Sequence, residues 1–185
     1  MKSLYSFIVK PLNKRYDNTK KINDKTFIIN TSIEDHKFIS KKAVVVSTPS
    51  AYKTKINIGD EIYVHHNIFR RWYDQKGKER NSSTYFKDDL YFVSPGQIYM
   101  YNLKSHLDYC FIKPLKNESN FKVDKEQSLI GILKIGNSSL EALGIHEGDT
   151  VGYTPYGEYD FVVDKKRLYC MKSNDIVIKY GNKEN

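Results

Sequence analysis

Cysteine is nearly absent. The 185 residues contain two, Cys110 and Cys170, each inside an apolar, strand-like run. That scarcity excludes a multi-disulfide framework and fits buried free thiols in a reducing compartment. Long hydrophobic runs are missing as well: no apolar stretch approaches the ~18 residues of a membrane-spanning helix, and no membrane partner is expected. Residues Met1 to Lys10 hold a very short apolar run with charge at both ends and no small-residue cleavage site. A secretory signal is therefore not expected, and a cytoplasmic location is. No segment sustains the 3.6-residue apolar period of an amphipathic helix. Ser138 to Leu143 supports a single helical turn and little more.

The motifs that carry chemistry are missing too. There is no nucleophile elbow, phosphate-cradling loop or pair of catalytic carboxylates, so no catalytic residue, enzymatic activity or cofactor is expected. His65-His66 invites a metal site, but neighbours on a strand point to opposite faces, and one ion could not readily take both. His36, His106 and His146 stand alone in the sequence. No metal is expected.

What the chain does contain is an internal repeat. Lys10-Pro11-Leu12 recurs as Lys113-Pro114-Leu115, each time after a short apolar run. Ile56-Asn57-Ile58-Gly59-Asp60-Glu61-Ile62 recurs as Ile145-His146-Glu147-Gly148-Asp149-Thr150-Val151, and Leu90-Tyr91 with Ile98 recurs as Leu168-Tyr169 with Ile176. The offsets are 103, 89 and 78 residues. Anchors in constant order with shrinking spacers mean two copies of one small fold that differ in their loops. Two domains are expected, 1–104 and 105–185, each of roughly 80 to 105 residues and able to bury a workable core.

The apolar runs are short, rich in Val, Ile, Tyr and Phe, and bounded by turn residues, which predicts strands. In the first half they are Tyr5 to Lys10, Thr26 to Asn30, Lys42 to Ser47, Glu61 to His65, Leu90 to Val93 and Gln97 to Tyr101. In the second they are Tyr109 to Lys113, Leu129 to Ile135, Thr150 to Tyr153, Tyr159 to Val163, Leu168 to Met171 and Ile176 to Tyr180. The Gly-Asp element reads as a tight turn: glycine permits positive φ, and aspartate bonds back to the backbone. Pro11 and Pro114 are expected to end the opening strands, because proline cannot donate to the ladder. The fold class is all-β, as two tandem small β-barrels.

A net charge of +8 suits a nucleic-acid binder or a protein that docks on an acidic partner. One cluster stands out, with Arg70, Arg71, Lys76, Lys78 and Arg80 around Phe69, Trp72 and Tyr73. An Arg-aromatic loop can hold phosphates and stack bases. Equally, Arg70, Arg71, Trp72 and Tyr73 can serve as a domain or subunit contact, which the acidic Asp74, Glu79, Asp88 and Asp89 favour. Heavy use of Lys, Asn, Ile and Tyr fits an AT-rich genome, viral or bacterial.

In the second half, Phe111-Ile112-Lys113-Pro114-Leu115, Gly131-Ile132-Leu133, Glu147-Gly148-Asp149-Thr150-Val151-Gly152-Tyr153 and Asn174-Asp175-Ile176-Val177-Ile178 follow one another in a set order. The first half repeats it with Phe7 to Leu12, Ala43 to Val46, Ile58 to Ile62, and Tyr91-Phe92-Val93 with Gln97-Ile98. This order resembles the GroES (chaperonin-10) co-chaperonin family. The resemblance implies GroES-like barrels, a homo-oligomeric ring, a large GroEL-type chaperonin as partner, and an unfolded client protein inside the cage. It implies subunit contacts through first and last strands, placed here on Tyr5, Phe7, Ile98, Tyr99, Met100, Ile176 and Ile178. The family's roof hairpin would fall between Val46 and Ile58, but Ser47 to Asn57 is too short for it. Some phage-encoded co-chaperonins also lack that hairpin; in that case the location is the host cytoplasm.

The family grips its chaperonin with a short aliphatic triplet on a long polar loop. The corresponding stretch is Asn13 to Ile39, and the triplet is Phe27, Ile28 and Ile29, although Ile33 and Ile39 could shift the grip along the loop. The alternative is an ordinary strand, Thr26 to Asn30, with its apolar side packed inward. The second-half loop, Lys116 to Ser128, offers only Phe121 and Val123. Two other functions remain open: an oligomeric virion or scaffold protein, or a nucleic-acid-binding barrel that uses loop 69–87.

Overall fold

The computed structural model describes residues 2–28, 31–32, 35–116 and 126–181. They form two compact units, Met1–Asn102 and Leu103–Asn185, and both are all-β. The first contains β1 (Phe7–Pro11), β2 (Thr19–Ile22), β3 (Lys25–Ile28), β4 (Lys42–Ser47), β5 (Glu61–Val64), β6 (Arg71–Tyr73), β7 (Glu79–Asn81), β8 (Tyr85–Lys87), β9 (Leu90–Val93) and β10 (Ile98–Tyr101). After the short β11 (Lys104–Ser105), the second contains β12 (Tyr109–Lys116), β13 (Glu126–Ile135), the single-turn helix α1 (Ser138–Ala142), β14 (Thr150–Tyr153), β15 (Tyr159–Val163), β16 (Lys166–Lys172) and β17 (Ile176–Lys179).

The repeat is reproduced in the hydrogen-bonded strand order. In the first unit the main sheet runs β10-β5-β4-β1-β9-β8, and in the second β17-β14-β13-β12-β16-β15. Register matches residue for residue. Lys10 faces Val44 and Pro11 faces Ala43, as Lys113 faces Ile132 and Pro114 faces Gly131. Val9 faces Tyr91, as Ile112 faces Tyr169. The irregularities recur as well: a register shift between Ile8 and Val9 has its counterpart between Phe111 and Ile112. A one-residue slip would turn every side chain to the other face, so shared register means a shared core pattern.

The Gly-Asp turns are superposable in their bonding. The Asn57 and His146 N–H groups each donate to an aspartate Oδ2 at 2.8 Å, that of Asp60 and Asp149 respectively. The Gly59 and Gly148 N–H groups each donate at 2.8 Å to a carbonyl of the preceding strand, Val45 and Leu133. Both glycines take positive φ, +91° and +98°. A capped 3₁₀ turn leads into each last strand: the Ser94 N–H donates to Gln97 Oε1 at 3.0 Å, and the Lys172 N–H to Asp175 Oδ2 at 2.9 Å.

The expected closed barrels are not formed. Each main sheet is an open ladder: among the described residues β8 is not hydrogen-bonded to β10, nor β15 to β17. One face of the first sheet nevertheless gathers side chains from β1, β4, β5, β9 and β10 into one core: Phe7, Val9, Ala43, Val45, Ile62, Val64, Tyr91, Val93 and Ile98. The second unit packs Cys110, Ile112, Leu133, Leu140, Val151 and Met171 in the same way. Cys110 lies opposite Met171 and Cys170 opposite Phe111, so alternation sends the two thiols to opposite faces. Both are free and buried. Burial pushes the Cys110 thiol up to about 12 and raises that of Cys170 as well, which leaves both unreactive.

Pro11 ends its strand as expected, but Pro114 lies inside β12, which continues to Lys116. Among the described residues, β13 alone flanks that strand beyond Ile112, and a residue without an N–H is tolerated at such an edge. Opposite it, Gly131 has no room for a side chain: a Cβ would press into Ile112 and come within 2.7 Å of the Lys113 carbonyl oxygen. Gly131→Ala should therefore cost about 1 to 3 kcal/mol in urea unfolding, whereas Gly96→Ala, where a Cβ meets nothing within 4 Å, should stay within about 0.5 kcal/mol.

Candidate functional site

The stretch between β1 and β4 is an arm with an anchored root and an exposed ribbon. At the root, Tyr16 bridges to Ile39, the Asp17 N–H donates to the Phe38 carbonyl, and the Ser40 N–H donates to the Arg15 carbonyl, both at 2.8 Å. Tyr16 and Ile39 are buried in the first unit's core. Beyond them β2 and β3 pair as a hairpin, Thr19 opposite Ile28 and Ile22 opposite Lys25. Its turn is Asn23-Asp24, with Asn23 at φ +52°, a conformation asparagine tolerates. Every residue of both strands is exposed.

Phe27 is 48% and Ile28 66% exposed, and Ile29 lies outside the described residues. The segment is thus a strand, but neither of its faces packs inward. Strand alternation also divides the expected triplet: Phe27, opposite Lys20, shares a face with Ile22, whereas Ile28 points the other way. Ile22, 50% exposed, is an apolar arm residue that sequence reading passed over. Its signal was the Asn-Asp pair after it, a turn dipeptide that folds Ile22 back alongside Phe27. Phe121 and Val123 of the second-half loop lie outside the described residues.

The expected subunit-contact residues separate into two groups. Phe7 and Ile98 belong to the first unit's core, and Tyr99 and Met100 are buried too. Strand β1 is flanked by β4 and β9, so it has no edge to offer a neighbour. Tyr5, before β1, is 72% exposed. In the second unit β17 ends the sheet, with Ile176 half-buried and Val177 and Ile178 exposed at 58% and 48%.

The Arg-aromatic loop forms a second hairpin, β6–β7, with Arg71 opposite Asn81 and Trp72 opposite Arg80. Two of its arginines are paired within it. Arg71 Nη1 pairs with Glu79 at 2.9 Å and Arg80 Nε with Asp74 at 2.9 Å. The guanidinium of Arg71 lies 4.7 Å above the Tyr16 ring. Asp74 also accepts the Lys76 and Lys78 N–H groups at 3.0 and 2.9 Å. Bonds from that turn and from Arg80 hold the Asp74 carboxyl below the usual carboxylate range. Arg70, Trp72 and Tyr73 are exposed.

His65 and His66 do not point to opposite faces. Strand β5 ends at Val64 and His66 opens a 3₁₀ turn, so alternation stops between them. Their ring centroids lie 4.2 Å apart, and His36 stands 5.4 Å from His66. Among the described residues no group of three or more His, Cys, Asp and Glu could hold a metal ion, and no helix is long and apolar enough to cross a membrane. Burial, then the neighbouring His65, His36, Lys41 and Arg70, lower the pKa of His66 to about 4. His65 is lowered by burial and by Lys41.

Because His66 takes up a proton more readily in the unfolded chain, near 6.5, its contribution to stability is complete above that pH. It is lost as pH falls toward about 4. The urea midpoint of the first-unit transition should fall across this window, and His66→Gln should flatten the fall. Parallel curves for the two proteins would show that the stacked imidazoles do not set this dependence.

A scan against models of known protein families matches none, and a search of curated proteins finds no significant match, so the family resemblance rests on the chain's own residues.

Proposed function

We propose that the protein is a co-chaperonin, a homo-oligomeric lid that grips a large GroEL-type chaperonin with its arms and encloses an unfolded client. The observation that carries this reading is the β2–β3 ribbon. It leaves the sheet where the resembled family places its mobile loop, after the Lys-Pro-Leu strand, and it exposes Ile22, Phe27 and Ile28. The matching strand orders of the two units support it further. In this reading each open sheet is the counterpart of the family's small barrel, and β17, at its sheet's edge with Val177 and Ile178 exposed, supplies a contact between neighbouring subunits.

The energetics require an oligomer. Burying two large apolar side chains gives roughly 3 to 6 kcal/mol gross, while ordering arm residues costs about 1 to 2 kcal/mol each. One arm therefore binds weakly, and several arms joined in one ring bind well without any new kind of contact. The nucleic-acid alternative is less well supported, because Arg71 and Arg80 already have carboxylate partners within their own hairpin.

Native mass measurement should give a homo-oligomer that joins a GroEL-type chaperonin when ATP is present. The double variant Phe27→Ser/Ile28→Ser should keep the oligomer and lose capture by at least a hundredfold. Undiminished capture by that variant, or a wild-type chain that stays monomeric at working concentration, would refute the proposal. Separately, Ile178→Asp should shift the assembly toward smaller species in sedimentation while leaving each unit folded.

A further inference from the structure

The 66–84 segment, between β5 and β8, lengthens the unit that carries the long arm. In the second unit the corresponding connection, from Tyr153 at the end of β14 to Tyr159 at the start of β15, is a short turn. The segment's start, Ile68 and Phe69, shares one core with Tyr16 and Ile39 of the arm's root. Its ends are tied together. Ser82 Oγ and Thr84 Oγ1 donate to the Ile68 carbonyl at 2.6 and 3.0 Å, and the Ser82 N–H donates to the Arg70 carbonyl at 3.0 Å.

From this base the insertion reaches the arm through two arginines, one from each side. Arg71 belongs to the insertion: its backbone N–H donates to Tyr16 Oη at 2.9 Å, and its guanidinium covers the Tyr16 ring. Arg15 belongs to the arm: Nη1 donates to Asn81 Oδ1 at 2.9 Å and Nη2 to the Phe69 carbonyl at 3.0 Å. The Arg15 guanidinium also lies 5.2 Å from the Tyr91 ring centre. Arg71 and Asn81 are cross-strand partners, so the hairpin face that carries them is the one turned to the root. Trp72 and Arg80 occupy the other face.

We infer that the 66–84 insertion holds the root of the arm in a fixed direction, with Arg15 and Arg71 as the positioning residues. A two-stranded ribbon standing alone is marginally stable in water. Fixing its root removes part of the ordering cost that each arm would otherwise incur on binding. That the arm is the binding element rests on the co-chaperonin reading; that the insertion holds its root does not.

The test uses the full chain and compares hydrogen exchange at the root amides of Asp17 and Ser40 with exchange at the sheet amides of Val45 and Leu133. In Arg15→Ala/Arg71→Ala the root amides should exchange at least tenfold faster, with the sheet amides within about twofold of wild type. ATP-dependent capture by a GroEL-type chaperonin should weaken severalfold although Ile22, Phe27 and Ile28 are untouched. Asn81→Ala, an exposed position that cannot unfold the core, should give a smaller acceleration of the same pattern. Arg71→Lys should fall between wild type and alanine, since an ammonium keeps the charge but lacks the planar face. Root amides unchanged in the double variant and in Asn81→Ala would overturn the inference, as would root and sheet amides accelerating together. Selective root acceleration in a protein whose wild type captures no chaperonin would support the inference and retire the co-chaperonin reading.

Discussion

Both sheets depend on one tight turn before β5 and β14. In each unit a glycine at positive φ and an aspartate carboxylate that accepts a backbone N–H lock the chain against the preceding strand. The glycine N–H itself bonds to a carbonyl two residues from that strand's end, Val45 or Leu133. This lock sets the register of β4 on β5 and of β13 on β14, and register decides which face of the sheet is apolar. Val45, Ile62 and Val64 in one unit, and Leu133 and Val151 in the other, reach the core because the turn brings them in on the same phase. Beyond the ladder, loops can lengthen at little cost, since closure entropy grows only slowly with length.

That tolerance separates the halves. The first unit uses it twice, for the arm between β1 and β4 and for the insertion between β5 and β8, and the two additions meet through Arg15, Tyr16, Arg71 and Asn81. In the second unit the exposed polar surface is tied down differently: Arg167 joins Asp160 and Glu126 at 3.0 and 2.7 Å, and the Tyr169 hydroxyl donates to Glu126. Lys179 joins Asp149, a member of the turn itself, at 2.8 Å. Lysine and aspartate here couple β17 to the lock before β14, a tie for which the first unit has Tyr101 in place of the lysine.

How much of this could be read from the residues follows from what each segment buries. β4, β9, β14 and β15 have the bounds their β-branched and aromatic runs predict, because a buried face imposes alternation. β2, β6, β7 and β8 went unrecognised: Thr-Lys-Lys-Ile and Glu-Arg-Asn have no core face, so no apolar period marks them. The repeat was legible from its anchors, yet closure was not, since whether end strands exchange hydrogen bonds is not written in their own residues. Of the site, Phe27 and Ile28 were visible as apolar residues in a polar stretch. Ile22 was hidden because its relation to Phe27 exists only across the turn. The stacking of His65 on His66 was missed because the end of a strand, and with it the end of alternation, cannot be placed to a single residue from composition.

The arm's composition balances two opposed requirements. A two-stranded ribbon with apolar side chains on both faces is a template for aggregation, and this one carries Ile22 and Phe27 on one face and Ile28 on the other. Lys20 stands opposite Phe27 and Lys25 opposite Ile22, while Lys21 shares the face of Ile28. Each apolar residue therefore has a lysine beside it on its own face, and like charge between ribbons opposes their pairing. The same lysines weaken any single apolar contact by keeping water close. If the arm grips a chaperonin as proposed, each arm binds weakly taken singly, which is useful only if many copies act together or if its root is held so that little entropy remains to be lost.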